Sequence, residues 1–172
     1  MKRLVLLRHA KSSWAEPDMD DHERPLNQRG RKGAQVIAGY LRQRRIRPDL
    51  VLCSTARRAQ ETLEIVKEGL GAGARIENDQ ALYLAGAEGV LARVKRVDGA
   101  GVGTLMVVGH NPDLQNLALM LAEAGQAALT SRIRAKFPTA GLVVLDCPAD
   151  AWDELMAGTC RIADFTAPGD LT

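Results

Sequence analysis

The amino-acid sequence predicts a three-layer α/β/α domain with a mostly parallel central sheet, and three observations support it. Residues 4–7, 50–53 and 105–108 are unbroken apolar runs, the composition of strands buried on both faces. Each is followed by helical periodicity: Ala34, Ile37, Ala38 and Leu41 share one face, as do Ala59, Leu63, Val66 and Leu70, and then Leu114, Leu117, Ala118 and Leu121. Strands alternating with helices imply crossovers that cover both faces of a parallel sheet. The 172 residues hold no linker, repeat or biased segment, so a single domain spanning 1–172 is expected.

Taken in order, residues 2–7 form a strand that ends at Arg8-His9. A polar loop, 10–29, is rich in Asp and carries Pro17 and Pro25. Gly30 opens the first helical pattern, which Arg42, Arg44 and Arg45 close with the positive charge a helix C-terminus prefers, before Pro48 blocks continuation. Residues 50–53 read as a second strand and 74–77 as a short third. Residues 88–97 read as a weaker helix with Val90, Leu91, Val94 and Val97 inward. After the strand at 105–108, Asn111-Pro112 caps and starts a helix. Residues 142–145 and 159–165 close the domain as two further strands.

A net charge of +2, from 23 basic and 21 acidic residues, leaves no electrostatic footprint for nucleic acid, and 3% aromatics supply no stacking platform. The run after Met1-Lys2-Arg3 stops at Arg8, too short for a signal core, and no stretch approaches the length of a membrane span. Cys53, Cys147 and Cys160 are scattered and odd in number, with neither metal-pair nor disulfide spacing; they suit a reducing cytoplasm and read as small buried side chains. A cytoplasmic protein with no membrane or nucleic-acid partner is expected.

Three strands end in residues able to carry chemistry: Arg8-His9, then Ser54 leading to Arg57-Arg58, then His110. Ligands of open parallel sheets bind outside the carboxyl ends of the strands, so two histidines and at least two arginines should share one edge. A lone histidine after a strand is more often structural; the agreement of four placements carries the functional reading. Arg58 lies in the first turn of its helix, where the macrodipole disfavours a cation by a few tenths to about 1 kcal/mol. An anion nearby would offset that; a salt bridge to Glu61 or a solvated side chain are the alternatives. His110 precedes a helix start whose free N–H groups favour an anion. Two guanidinium groups can clamp a phosphoryl group, and a neutral imidazole, favoured by positive neighbours, can attack its phosphorus. Carboxylates and histidines are not grouped in ligand spacing, so no metal or cofactor is expected.

The same residues carry a resemblance. Leu7-Arg8-His9-Ala10 is similar to the Arg-His-Gly signature of the histidine phosphatase superfamily, which includes phosphoglycerate mutases and acid phosphatases. The stretch from Ser54 through Arg58-Ala59 to Thr62 resembles its second motif, Ser-x-x-x-Arg-Ala-x-x-Thr, so that the family arginine is Arg58 and not Arg57. Gly109-His110-Asn111-Pro112 resembles the third motif, and Arg24-Pro25-Leu26-Asn27 with Arg29-Gly30 resembles the stretch before the first helix. The likeness runs from residue 2 to about 165 and implies a phosphoglycerate mutase-like fold. The short chain and the opening Arg8-His9-Ala10-Lys11-Ser12-Ser13-Trp14 resemble the SixA-like phosphohistidine phosphatases within it. By that resemblance His9 is the nucleophile, and Arg8, Arg58 and His110 surround and bind the phosphoryl group.

The chain departs from the pattern twice. Ala10 replaces the signature glycine. Leu84 stands where many members carry the Glu that protonates the leaving oxygen, leaving Glu88, a first-loop carboxylate (Asp18, Asp20 or Asp21), or no residue as the acid. The expected activity is a metal-independent phosphatase acting through a phosphohistidine on His9, with a protein phosphohistidine as substrate. A small-molecule phosphomonoesterase of sugar or nucleotide phosphates is the alternative among enzymes, a mutase being disfavoured by length. A non-catalytic phosphate-binding module is the alternative outside them.

Overall fold

A computed structural model describes all residues, 1–172. Six strands form one sheet in the order β3-β2-β4-β1-β5-β6. They are β1 (Lys2–Arg8), β2 (Leu50–Ser54), β3 (Arg75–Asp79), β4 (Thr104–Gly109), β5 (Leu142–Cys147) and β6 (Arg161–Thr166). The first four run parallel, whereas β5 is antiparallel to β1 and β6 antiparallel to β5. The helices are α1 (Gln28–Gln43), α2 (Arg57–Val66), α3 (Gly86–Lys95), α4 (Asp113–Leu121) and α5 (Ala127–Ala135).

The uniform apolar strands bury both faces because alternate side chains point to opposite sides. Leu4, Leu6, Leu52, Leu105 and Val107 enter one core with α3, α4 and Trp152. Val5, Leu7, Val51, Met106 and Val108 enter a second core with α1 and α2. This is the three-layer arrangement expected. Helix α5 is an element the sequence pattern does not reveal: it buries only Ile133, so its apolar spacing is absent. Leu70 lies past the end of α2 but is buried as its periodicity suggests. Leu91 is only partly buried.

Strand order positions the site. β4 inserts between β1 and β2, so the carboxyl ends of all three lie side by side. Because β5 runs the other way, the segment entering it, from Phe137 to Gly141, arrives at that same edge, where Ala140 N–H donates to His9 O at 3.0 Å.

The first loop returns to this edge through the start of α1. Asn27 caps the helix, its Oδ1 accepting from Gly30 N at 2.8 Å. Gly30 then lies so close to Lys11 that a Cβ would stand 2.0 Å from the Lys11 carbonyl oxygen, which fixes how the loop leaves His9. Gly30→Ala should therefore destabilise the fold by about 1–3 kcal/mol, the usual cost of overpacking. Gly39→Ala, on the same helix with nothing within 4 Å of its Cβ position, should stabilise it by about 0.5–1 kcal/mol. Urea denaturation of both variants checks the pair; equal effects would show that Gly30 is not a contact point.

Candidate active site

Arg8, His9, Arg58 and His110, chosen from sequence, line one cleft of about 740 Å³ at the carboxyl ends of β1, β2 and β4. His9 and His110 follow neighbouring strands, and their ring centroids lie 5.3 Å apart. Arg58, in the first turn of α2, reaches His9, its Nε 3.4 Å from His9 Nε2. Arg57 points elsewhere: it is exposed and pairs with Glu61 at 3.2 Å.

The tautomer of His9 follows from its contacts. Its Nδ1 lies 2.7 Å from the Ala10 carbonyl oxygen, which can only accept, so Nδ1 carries the proton and donates. Nε2 then holds a lone pair directed at the Arg58 donor. Burial, reinforced by His110, Arg58 and Arg8 nearby, pushes the His9 pKa down to about 3 against the backbone bond that raises it. Burial, with Arg58 the largest charge acting on it, pushes His110 down to about 4. Both rings are uncharged at neutral pH, and an uncharged imidazole nitrogen is a nucleophile.

The anion anticipated beside Arg58 is Asp21 rather than Glu61. Arg58 Nη2 donates to Asp21 Oδ2 at 3.1 Å, and Nη1 to the Asp21 carbonyl at 2.7 Å. Tyr83 donates to the same Oδ2 at 2.6 Å and Arg24 to Oδ1 at 3.0 Å. Led by the Tyr83 bond, these donors hold the Asp21 carboxyl down to about 2. Asp21 is thus an ionised anchor for Arg58 and not a proton donor at neutral pH. Arg8 is held by Nη1 donating to Phe137 O at 2.8 Å, while its Nε is buried without an acceptor.

Two hydroxyls of the second motif, given no role from sequence, connect the site. Thr62 Oγ1 accepts from Ala10 N at 2.9 Å and donates to Arg58 O at 2.7 Å, tying the residue after His9 to the helix that carries Arg58. Ser54 Oγ lies 2.8 Å from His110 Nε2 and accepts from Ala56 N at 3.2 Å. Both side chains are fully buried. Their spacing was visible in the motif; which strand each would bridge was not.

The carboxylates left open as acids separate clearly. Glu88 is exposed on α3, outside the cleft, as is Asp18 in the first loop, and Asp20 caps a short turn, accepting from His22 N at 3.4 Å. Leu84 is 82% exposed at the rim. The carboxylate that does line the cleft is Asp113, buried in the first turn of α4, three residues past His110. It reads in the sequence as an ordinary acidic first-turn residue. No group of three or more His, Cys, Asp or Glu side chains converges in the structure.

Known proteins resemble the chain in sequence and fold. The model of the histidine phosphatase superfamily (branch 1) matches residues 4–83, which include Arg8, His9 and Arg58. A crystal structure from Agrobacterium tumefaciens assigned to phosphohistidine phosphatase SixA is 36% identical over 97% of this chain and 98% of its own, with a TM-score of 0.80. A SixA-assigned structure from Nakamurella multipartitia is 28% identical, covering 97% of this chain and 96% of its own, with a TM-score of 0.83. A protein of Mycobacterium tuberculosis without assigned function is 41% identical over 165 residues, 94% of this chain and 99% of its own.

An oxyanion titration tests the geometry directly. Arg58→Ala should weaken orthovanadate binding about 10- to 100-fold, the worth of hydrogen bonds from a charged donor. Arg57→Ala, removing an exposed ion pair, should change it less than about fivefold. Calorimetry checks both, and equal losses would place the wrong arginine in the cleft.

Proposed function

Because the chain belongs to the histidine phosphatase superfamily, within its SixA-like group, we propose that it hydrolyses protein phosphohistidine through a covalent phosphohistidine on His9. One observation carries the reading: an uncharged imidazole presents its Nε2 lone pair beside the Arg58 guanidinium, in a cleft that Arg8 and His110 also line.

In the first step the Nε2 lone pair forms a bond to phosphorus while the bond from phosphorus to the substrate nitrogen breaks, and the departing imidazole keeps that electron pair. Arg8 and Arg58 neutralise the three equatorial oxygens as charge spreads over them. His110, held by Ser54, contributes a neutral hydrogen-bonding ring on the other side. In the second step water attacks phosphorus, the bond to Nε2 breaks, and inorganic phosphate leaves. Asp21 keeps Arg58 aligned in both steps from behind. Cations and neutral rings dominate this wall, an environment that resists a divalent metal, so the reaction needs none.

The leaving group supports this choice of substrate. An alkoxide needs a proton as it leaves, help worth roughly 10²–10⁴ in rate. No carboxylate stands at position 84, and Asp21 is tied up by three donors. A phosphohistidine ring takes a proton from solvent on its free nitrogen and so leaves as neutral imidazole, with no donor needed at the bond that breaks.

Base quench of enzyme mixed with labelled substrate in EDTA should trap label on His9, stable to base and lost in acid, and His9→Ala should abolish it without unfolding. Rates on phosphomonoesters should fall steeply as the leaving alcohol becomes more basic, while phosphohistidine remains fast. Label on Ser or Asp would sink the mechanism. A shallow dependence made steep by Asp113→Asn would assign Asp113 as the donor and favour a small-molecule phosphomonoesterase.

A further inference from the structure

A second cleft, of about 480 Å³, adjoins the first, with Lys11 and Thr139 lining both. Its floor is backbone: Gly30 and Gly33 of α1 on one side, Ala167 to Asp170 after β6 on the other. Three cations line it, namely Lys11, Arg29 and Lys136, all exposed. None of them forms an ion pair within the protein. The one carboxylate of the lining, Asp170, already accepts from Ala167 N at 3.0 Å and faces Arg132 at 4.0 Å.

Several unneutralised cations around a concave surface concentrate anions there. Arg29 is in addition a cation in the first turn of α1, the end of a helix where positive charge is disfavoured. The mechanism uses none of the charged side chains of this second cleft. We propose that it is a docking subsite for an acidic polypeptide segment flanking the phosphorylated histidine of the substrate.

The character of the charges selects that occupant over a second phosphate. The phosphoryl clamp uses planar guanidinium groups: Arg58 is 6% exposed, and Arg8 is partly buried with one wholly buried nitrogen. The second cleft uses three separate, solvent-exposed side chains, two of them flexible lysines, which suit carboxylates spread along a chain. The second cleft meets the first at Lys11 and Thr139, on the way out for a polypeptide whose phosphorylated residue is held at His9. At the opposite rim Trp14 is 76% exposed and stacked on Arg24, whose guanidinium carbon is 3.5 Å from the ring centroid, and with Leu84 it offers apolar contact to the same chain.

This inference rests on the protein-substrate reading, so the test separates the two. Calorimetric titration with an unphosphorylated peptide, His flanked by Glu, measures docking without turnover; the same peptide with Gln for Glu is the control. The Glu peptide should bind wild type about tenfold tighter than it binds Arg29→Gln/Lys136→Gln, as expected of two exposed ion contacts, with the gap closing at high salt. Arg29→Glu/Lys136→Glu should instead prefer a Lys-flanked peptide. With phosphorylated peptides the double Gln variant should raise KM about tenfold at unchanged kcat, and leave phosphoramidate turnover unaltered. Equal binding of Glu and Gln peptides, or indifference to both double variants, would overturn the subsite even if phosphohistidine is turned over. Stronger competition by inorganic pyrophosphate than by the Glu peptide would overturn it in favour of a second phosphate site. Docking without turnover of any phosphohistidine peptide would instead remove the activity proposed above and leave the subsite standing.

Discussion

An imidazole buried against guanidinium groups gives up its proton, and the remainder of the site is arranged around that fact. Water would otherwise hold His9 near its ordinary pKa of about 6.5 and leave it partly charged at neutral pH. Burial at the end of β1, with Arg8 and Arg58 adjacent, moves it down to about 3. The Ala10 carbonyl then decides which nitrogen keeps the remaining proton. A free Nε2 lone pair beside cationic donors is a consequence of where the strand ends and what lies beside it.

That placement in turn needs neighbouring elements held together from separate parts of the chain. Thr62 bonds both the backbone after His9 and the backbone of Arg58, so α2 cannot shift without moving the first loop. Asp21 reaches Arg58, Arg24 and Tyr83, coupling that loop to the segment before α3. The antiparallel β5 brings the Phe137 carbonyl to Arg8. The buried side-chain polar atoms are paired, apart from Arg8 Nε. A buried cation in the first turn of α2 is tolerable because an ionised carboxylate from elsewhere in the chain meets it.

Much of this was legible in the sequence. The strands were, because burial on both faces demands uniform apolar runs such as 105–108, and so were α1, α2 and α4, because each buries a wide face. Helix α5 was not, since one buried Ile133 leaves no period to detect. Nor was the direction of β5 and β6, which connection geometry sets and composition does not. That Arg8, His9, Arg58 and His110 would meet at one edge of the sheet was legible through motifs at strand ends. Tyr83, Asp21 and Asp113 were not: the first two lie in separate loops brought together only by folding, and the third is indistinguishable in sequence from any acidic residue opening a helix. The acid that the missing Glu at position 84 leaves open therefore has to be sought in space, where Glu88 is excluded by its position on α3.

The state of His9 is the claim on which everything else depends, and nitrogen NMR of the uniformly labelled, substrate-free protein reads it directly. Across pH 5 to 8 the His9 ring should remain neutral, protonated at Nδ1 and bare at Nε2, as expected for a pKa pushed down to about 3. Titration of His9 near pH 6.5, or a proton resident on Nε2, would contradict the account.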